Sequence, residues 1–154
     1  MTKTLLDTNI IISLLNDEDG IDELLGKLSQ EGGLFINSVI YAELSVYMEK
    51  EKLDEFLEDT NIKMEDIGKE ASSLAGEKFS HYIDHQEEGL QCSECGEINK
   101  IRCSECEKKL DKRQYMAPDF LIASHAKKQA DRLATLDKGF HSRYFKDLTM
   151  TRPE

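Results

Sequence analysis

In the stretch KTLLDTNIIISLL, residues 3–15, one aspartate, Asp7, interrupts an otherwise apolar run. Residues 3–7 lack the alternation of a half-exposed strand, so they read as a short buried strand of a parallel sheet. A helix is expected to follow through Leu15. A carboxylate where a buried strand ends places charge at the rim of a sheet, and in open parallel sheets that rim is where sites form.

The rest of the chain repeats the alternation of strand and helix. NDEDG marks a turn, and IDELLGKLSQ spaces Ile21, Leu24, Leu25 and Leu28 for a helix ending at Gly32-Gly33. LFINS predicts a second buried strand, with Ser38 as N-cap of a helix over VIYAELSVYMEK. KLDEFLED predicts a short helix and IKMEDI a strand. KEASSLAGEKFSHYIDHQEE predicts a long amphipathic helix that includes Leu74, Phe79 and Ile83. APDFLIASHAKKQ predicts a helix with Pro118 near its start, and RLATL and LTMTR predict the last strands, separated by DKGFHSRYF. Such alternation implies an α/β fold with a mainly parallel central sheet. With 154 residues, one domain is expected, and 39% hydrophobic residues suffice for a single core. No internal repeat or low-complexity tract is evident.

Four carboxylates occupy equivalent places. Asp7 follows the first strand, Asp137 follows RLATL, Asp119 opens a helix, and Glu43 lies in the first turns after LFINS. Each has an ordinary reading: Asp119 gains about 0.3–1 kcal/mol from the helix dipole alone, and Asp7 can cap a helix. As a set they would repel unless a cation neutralised them. Oxygen-only acidic sites suit Mg²⁺ or Mn²⁺, ions that activate water and clamp phosphate oxygens.

One segment breaks the pattern. LQCSECGEINKIRCSECEKKLDKRQ is polar and poor in core residues, so residues 90–113 read as an insertion. Cys92, Cys95, Cys103 and Cys106 form C-x2-C-x7-C-x2-C, the spacing of a closed four-cysteine metal site, a zinc-ribbon-like knuckle. Zinc is expected in a structural role; iron would use the same ligands. No signal peptide is read at the N-terminus and no run approaches the ~18 apolar residues of a membrane helix. A reducing cytoplasm, no membrane, and thiols that serve as ligands rather than disulfides are therefore expected.

The net charge of −11 argues against a generic nucleic-acid binder. It is uneven, however. Residues 1–99 carry 7 Lys against 23 Asp and Glu, a balance of −16; residues 100–154 carry 13 Lys and Arg against 8 Asp and Glu, a balance of +5. Lys127, Lys128, Arg143 and Lys146 are candidate phosphate contacts. Tyr144 or Phe145 could stack a base, although Phe145 fits a core as well. His81, His85 and His125 are read as surface or packing residues, and His141 as a remote candidate for substrate phosphate.

LLDTNIII, INSVIYAEL, PDFLIASHA and LATLDKGF together resemble, in order, the four acidic motifs of PIN-domain ribonucleases, most closely the VapC-like toxins of toxin–antitoxin pairs. The resemblance implies a PIN-like three-layer α/β/α domain over residues 1–154, with the cysteine segment inserted. It implies Asp7, Glu43, Asp119 and Asp137 as catalytic Mg²⁺ or Mn²⁺ ligands, supported by Thr8, Asn9 and Thr135. It further implies an endoribonuclease that cleaves single-stranded or loop RNA, held by an antitoxin protein; a homodimer is compatible with it. The cysteine insertion departs from the usual toxin pattern. It also brings in PIN endonucleases with a zinc ribbon that mature ribosomal RNA, and a catalytically idle zinc-stabilised RNA- or protein-binding module.

Overall fold

The computed structural model describes residues 1–85, 89–109 and 115–154. The expected end of the long helix, residues 86–88, and the end of the insertion, residues 110–113, lie outside them. The described elements run β1 (Thr2–Leu6), α1 (Thr8–Leu15), α2 (Ile21–Glu31), β2 (Gly32–Ile36), α3 (Ser38–Leu44), α4 (Lys50–Asp59), β3 (Lys63–Met64) and α5 (Lys69–Asp84). The insertion holds β4 (Leu90–Gln91) and β5 (Ile98–Asn99). Then come α6 (Ala117–Gln129), β6 (Arg132–Ala134), α7 (Lys138–Tyr144) and β7 (Met150–Thr151). No described helix is long and apolar enough to cross a membrane.

The central sheet has the order β3-β2-β1-β6-β7 and every described pairing in it is parallel. Helices on its two faces complete the expected three-layer α/β/α architecture. The chain winds outward from β1 to β3, then returns to β6 on the other side of β1. The neighbours β1 and β6 therefore form the point where strand order reverses, the usual place for a site in an open α/β sheet. Their register pairs Leu5 with Leu133 and Leu6 with Ala134. The Asp7 N–H continues the ladder, donating to Ala134 O at 2.8 Å.

The core follows from the apolar stripes. Leu5, Leu6 and Ile36 of the strands meet Ile10, Ile11, Leu28, Ile40 and Phe120 of the helices, all buried. Burying such a side chain fully stabilises by about 1.5–3 kcal/mol each relative to leaving it exposed. A second cluster joins α5, α6 and α7: Tyr82, Tyr115, Phe120, Phe140 and Tyr144 pack ring on ring, with Tyr115 and Phe140 at 4.6 Å between centroids. Phe145 belongs to this core, at 6.2 Å from Phe120, which excludes it as a base-stacking surface.

Several boundaries differ from the sequence expectation. The N-cap of α3 is Asn37, whose side chain accepts from Ile40 N–H at 3.0 Å, so Ser38 is already helical. The helix stops at Leu44 instead of reaching Lys50, because Ser45 Oγ turns back to Tyr41 O at 2.8 Å and the chain tightens into a turn. DKGFHSRYF contains a helix, α7, that the polar composition concealed.

Candidate active site

Each acid is placed by a local structural duty. Asp7 is the N-cap of α1, accepting from Thr8 N–H at 2.8 Å. Asp137 is the N-cap of α7, accepting from Phe140 N–H at 3.0 Å. Asp119 sits in the first turn of α6 and reaches back to Met116 N–H at 2.8 Å. Glu43 lies in α3, where the Thr8 hydroxyl donates to it. The four carboxylates come from four separate elements. They line one cavity of about 410 Å³ with Thr8, Asn9, Ile12, Val46, Tyr47, Ile122, Phe140 and His141.

The three supporting polar residues are in contact with the acids. Thr135 Oγ1 donates to Asp7 Oδ2 at 2.6 Å and accepts from Asp137 N–H at 3.1 Å, so one hydroxyl ties the first acid to the last. Asn9 donates to Asp7 Oδ2 at 3.3 Å and accepts from Leu136 N–H at 3.1 Å. This lattice fixes the loop after β6 against the end of β1.

The electrostatics are those of crowded anions. Burial pushes the Asp119 carboxyl up, opposed by the Met116 N–H and reinforced by the charges of Asp7 and Asp137. Burial likewise raises Glu43, against the Thr8 hydroxyl and with the charges of Asp7 and Asp119. Asp137 is raised by burial, with the Phe140 N–H and His141 opposing and Asp7 adding. A donor set of hard carboxylate oxygens at a pinched potential fits Mg²⁺ or Mn²⁺ in chemistry. Among the described residues no group of three His, Cys, Asp or Glu side chains is disposed to hold an ion.

His141 was underrated by the sequence. It is 3% exposed, lines the acidic cavity, and points Nε2 at Asp7 Oδ2 across 3.9 Å. Its position four residues after Asp137, on the helix that Asp137 caps, was the available signal. Val46 and Tyr47, 81% and 66% exposed, form an apolar lip where the sequence pattern predicts continued helix. His125 is a packing residue, fully buried against Asn37. The four candidate cations do not line this cavity. Lys127 lies toward the far end of α6 from Asp119 and donates to Asp147 O at 2.7 Å, with Lys128 beside it. Arg143 and Lys146 line a separate cavity of about 500 Å³ with His81, His85 and Tyr144.

The cysteines form two turns of one design. Cys92 N–H donates to Glu97 O at 2.8 Å and Gly96 N–H to Cys92 O at 3.0 Å. Eleven residues on, Cys103 N–H donates to Lys108 O at 2.9 Å and Glu107 N–H to Cys103 O at 3.0 Å. Gln91 pairs with Ile98 across the first turn, and Arg102 with Lys109 across the second. The Cys92 thiol is held below its ordinary pKa by the N–H groups of Cys95 and Glu94 and by the Cys95 thiol; Cys103 is lowered in the same way by Cys106 and Glu105. Thiols biased toward thiolate suit a soft cation such as Zn²⁺. No disulfide joins them, and among the described residues no three are disposed around one ion.

A model of the PIN domain matches residues 4–146. The chain belongs to the PIN-domain family. No curated protein matches it. Among solved structures, it is similar to VapBC2 from Rickettsia felis bound to a DNA fragment from their promoter, at 21% identity and TM-score 0.63, covering 98% of each chain. It is also similar to DNA-bound VapBC from Salmonella typhimurium, at 18% identity and TM-score 0.61, over 99% of this chain and 98% of that one. A toxin–antitoxin complex from Klebsiella pneumoniae matches at 15% identity and TM-score 0.57, over 98% of both chains. At these identities the likeness is one of PIN fold.

Proposed function

We propose that this PIN domain is a metal-dependent endoribonuclease that cleaves single-stranded or loop RNA, and that it is the toxin of a toxin–antitoxin pair. The observation that carries the reading is the convergence of Asp7, Glu43, Asp119 and Asp137 on one cavity at the carboxyl edge of the sheet. These four would hold Mg²⁺ or Mn²⁺, directly or through water. Such an ion, when bound, supplies a water nucleophile at neutral pH and stabilises charge on the phosphate. The Thr135 hydroxyl and the Asn9 amide hold the Asp7 carboxylate in one orientation, and the Thr8 hydroxyl does the same for Glu43. Holding ligands in place before the substrate arrives is how an outer shell of hydrogen bonds supports a metal site.

The toxin role is supported by structural neighbours that are themselves VapBC or toxin–antitoxin complexes. The antitoxin would cover the acidic cavity, with an Arg or Lys side chain standing in for the metal among the carboxylates. Val46 and Tyr47 at the lip give it an apolar edge to bury. Cys92, Cys95, Cys103 and Cys106 would hold a structural Zn²⁺, which draws the two turns together. The deciding experiment compares RNA cleavage with Mn²⁺ by the wild type and by Asp7→Asn, with single-stranded DNA as a second substrate. Cleavage of RNA that Asp7→Asn abolishes is expected; undiminished cleavage by the variant removes the assignment. Recovery of the chain alone from its host, harmless when overexpressed in active form, would instead favour an RNA-processing role.

A further inference from the structure

The two cysteine turns differ at one informative position. The fifth residue of each has a positive φ: +79° at Gly96 and +56° at Glu107. Glutamate occupies that conformation in the second turn, so the turn itself does not demand glycine at Gly96. The docking surface supplies the demand. A Cβ on Gly96 would lie 3.0 Å from Gly139 O. Reciprocally, a Cβ on Gly139 would lie 2.3 Å from Cys92 O and 2.8 Å from Gly96 N, both backbone atoms that cannot swing aside. Gly139 N–H donates to Ser93 O at 2.7 Å. Two further contacts flank this seat: Arg143 to Gly96 O at 3.5 Å, and Arg152 to Glu94 at 2.9 Å.

Gly139 is the second residue of α7, two positions after Asp137, and the same short helix carries His141 into the acidic cavity. Glycine in a helix is costly relative to alanine; an added Cβ would meet nothing within 4 Å at Gly26 of α2 or Gly76 of α5, whereas at Gly139 it would run into the backbone of the first cysteine turn. We propose that the first cysteine turn is a clamp on the segment that presents Asp137, with Gly96 and Gly139 as positioning residues of the nuclease site. This rests on the nuclease reading given above. The insertion, at first sight a surface ornament, is then part of what holds the fourth acid in register, and whatever orders Cys92 and Cys95 is transmitted to the site through two backbones in contact.

The test uses the full chain and two readouts: amide exchange of the peptide spanning 137–145 in metal-free protein, and steady-state RNA cleavage. Gly139→Ala and Gly96→Ala should each speed exchange across α7, by about tenfold per 1.4 kcal/mol of lost docking. Each should lower kcat, by up to about a hundredfold for an ångström-scale displacement of a catalytic group, with KM little changed. Glu107→Ala, in the turn of the same design, should alter neither. Helix propensity alone predicts the opposite sign for Gly139→Ala. Unchanged or slower exchange in that variant overturns the clamp. Faster exchange with unaltered kcat overturns the positioning role. A wild-type chain that cleaves no RNA, with faster exchange in both glycine variants, overturns the nuclease reading while the docking stands.

Discussion

Asp7 and Thr135 are 128 residues apart in sequence and 2.6 Å apart in space, whereas Cys92 and Gly96 are joined by the closure of one turn. The acidic rim exists only when β1 and β6 are paired and α1, α3, α6 and α7 are seated. Each cysteine turn closes within a short local stretch through its own hydrogen bonds, although the first is also seated on Gly139. The two regions therefore answer to different forces: the rim to the hydrophobic core and sheet order, the cysteine turns to local geometry and, as proposed, to a metal. Perturbing one while reading the other should show how far the seat on Gly139 couples them.

The largest effect is expected at the rim. Asp7→Asn or Asp119→Asn should cost on the order of 10³-fold in RNA cleavage, the scale seen when one preorganised charge-stabilising group is removed. The fold and the zinc content should be unaltered, which metal analysis and circular dichroism on the same preparations would establish. Loss of zinc together with activity would mean that the two regions are one cooperative unit.

The reverse perturbation is Cys92→Ser with Cys95→Ser. Zinc should fall from one per chain to none. Structural zinc in small modules supplies about 10–16 kcal/mol of apparent binding free energy, and the insertion has few core residues to compensate. Limited proteolysis should cut within residues 90–109 while the α/β body stays protected. An absence of zinc from wild-type protein prepared without chelators would remove the structural-metal reading, though not the contact between Gly139 and Ser93.

A third substitution probes the hydrogen-bond lattice between the acids. Thr135→Val removes the hydroxyl that joins Asp7 to Asp137; outer-shell partners of metal ligands typically matter by about 10–100-fold in affinity or activity. Thr135→Ser should restore most of the loss. Equal loss in both variants would point to the methyl group's packing instead.

These regions were unequally legible from sequence. Asp7, Asp119 and Asp137 could be singled out because each falls at the end of a strand or the start of a helix, positions that apolar runs mark, whereas Glu43, next to the last residue of α3, was marked only by its motif. Thr8, Asn9 and Thr135 followed from the motifs. The cysteine spacing was equally plain, yet it said nothing of where the turn docks, because the seat on Gly139 is a backbone contact and carries no side-chain signature. The recurrence of C-x2-C was plain as well, but not that both pairs close the same hydrogen-bonded turn. Helix α7 was hidden by its polar composition, and with it the inward direction of His141. The truncation of α3 at Leu44 was invisible to periodicity, since Val46 and Tyr47 continue an apolar pattern that in fact faces the cavity mouth.

Crowding at the rim also sets a pH dependence. Glu43, Asp119 and Asp137 are held above their ordinary values, burial being the largest cause in each. A folded-state pKa above the unfolded one means that the folded chain binds more protons across the window between the two. Stability of metal-free protein should therefore fall as pH rises through that window, from the ordinary carboxylate range upward. Urea midpoints measured at steps from about pH 4 to neutrality would show the decline. Asp119→Asn should flatten it, and Mn²⁺ should oppose it at neutral pH. Asp54, Glu94 and His125 are shifted down and contribute in the opposite sense, so the decisive quantity is the difference between wild type and Asp119→Asn; a difference that does not change with pH would contradict the raised Asp119 value.

The smallest effect is expected where sequence charge suggested a phosphate track. Lys127 and Lys128 belong to the basic third of the chain, but α6 carries them about eight residues, or roughly 12 Å, along its axis from Asp119. Lys127 is already engaged with Asp147 O. Replacing both by Glu should leave RNA affinity and its salt dependence nearly unchanged. Lys146→Glu is the informative partner: it lies beyond α7, and its cavity borders the clamp without including the acids. If RNA leaves the rim over that side, the salt slope should become shallower by ~0.7 for the lost phosphate contact. Arg143 is a poor choice for this measurement, since it also touches Gly96 O and its loss would disturb the clamp. A shallower slope for the Lys127 and Lys128 pair, and none for Lys146, would instead place a phosphate contact at the end of α6 far from Asp119.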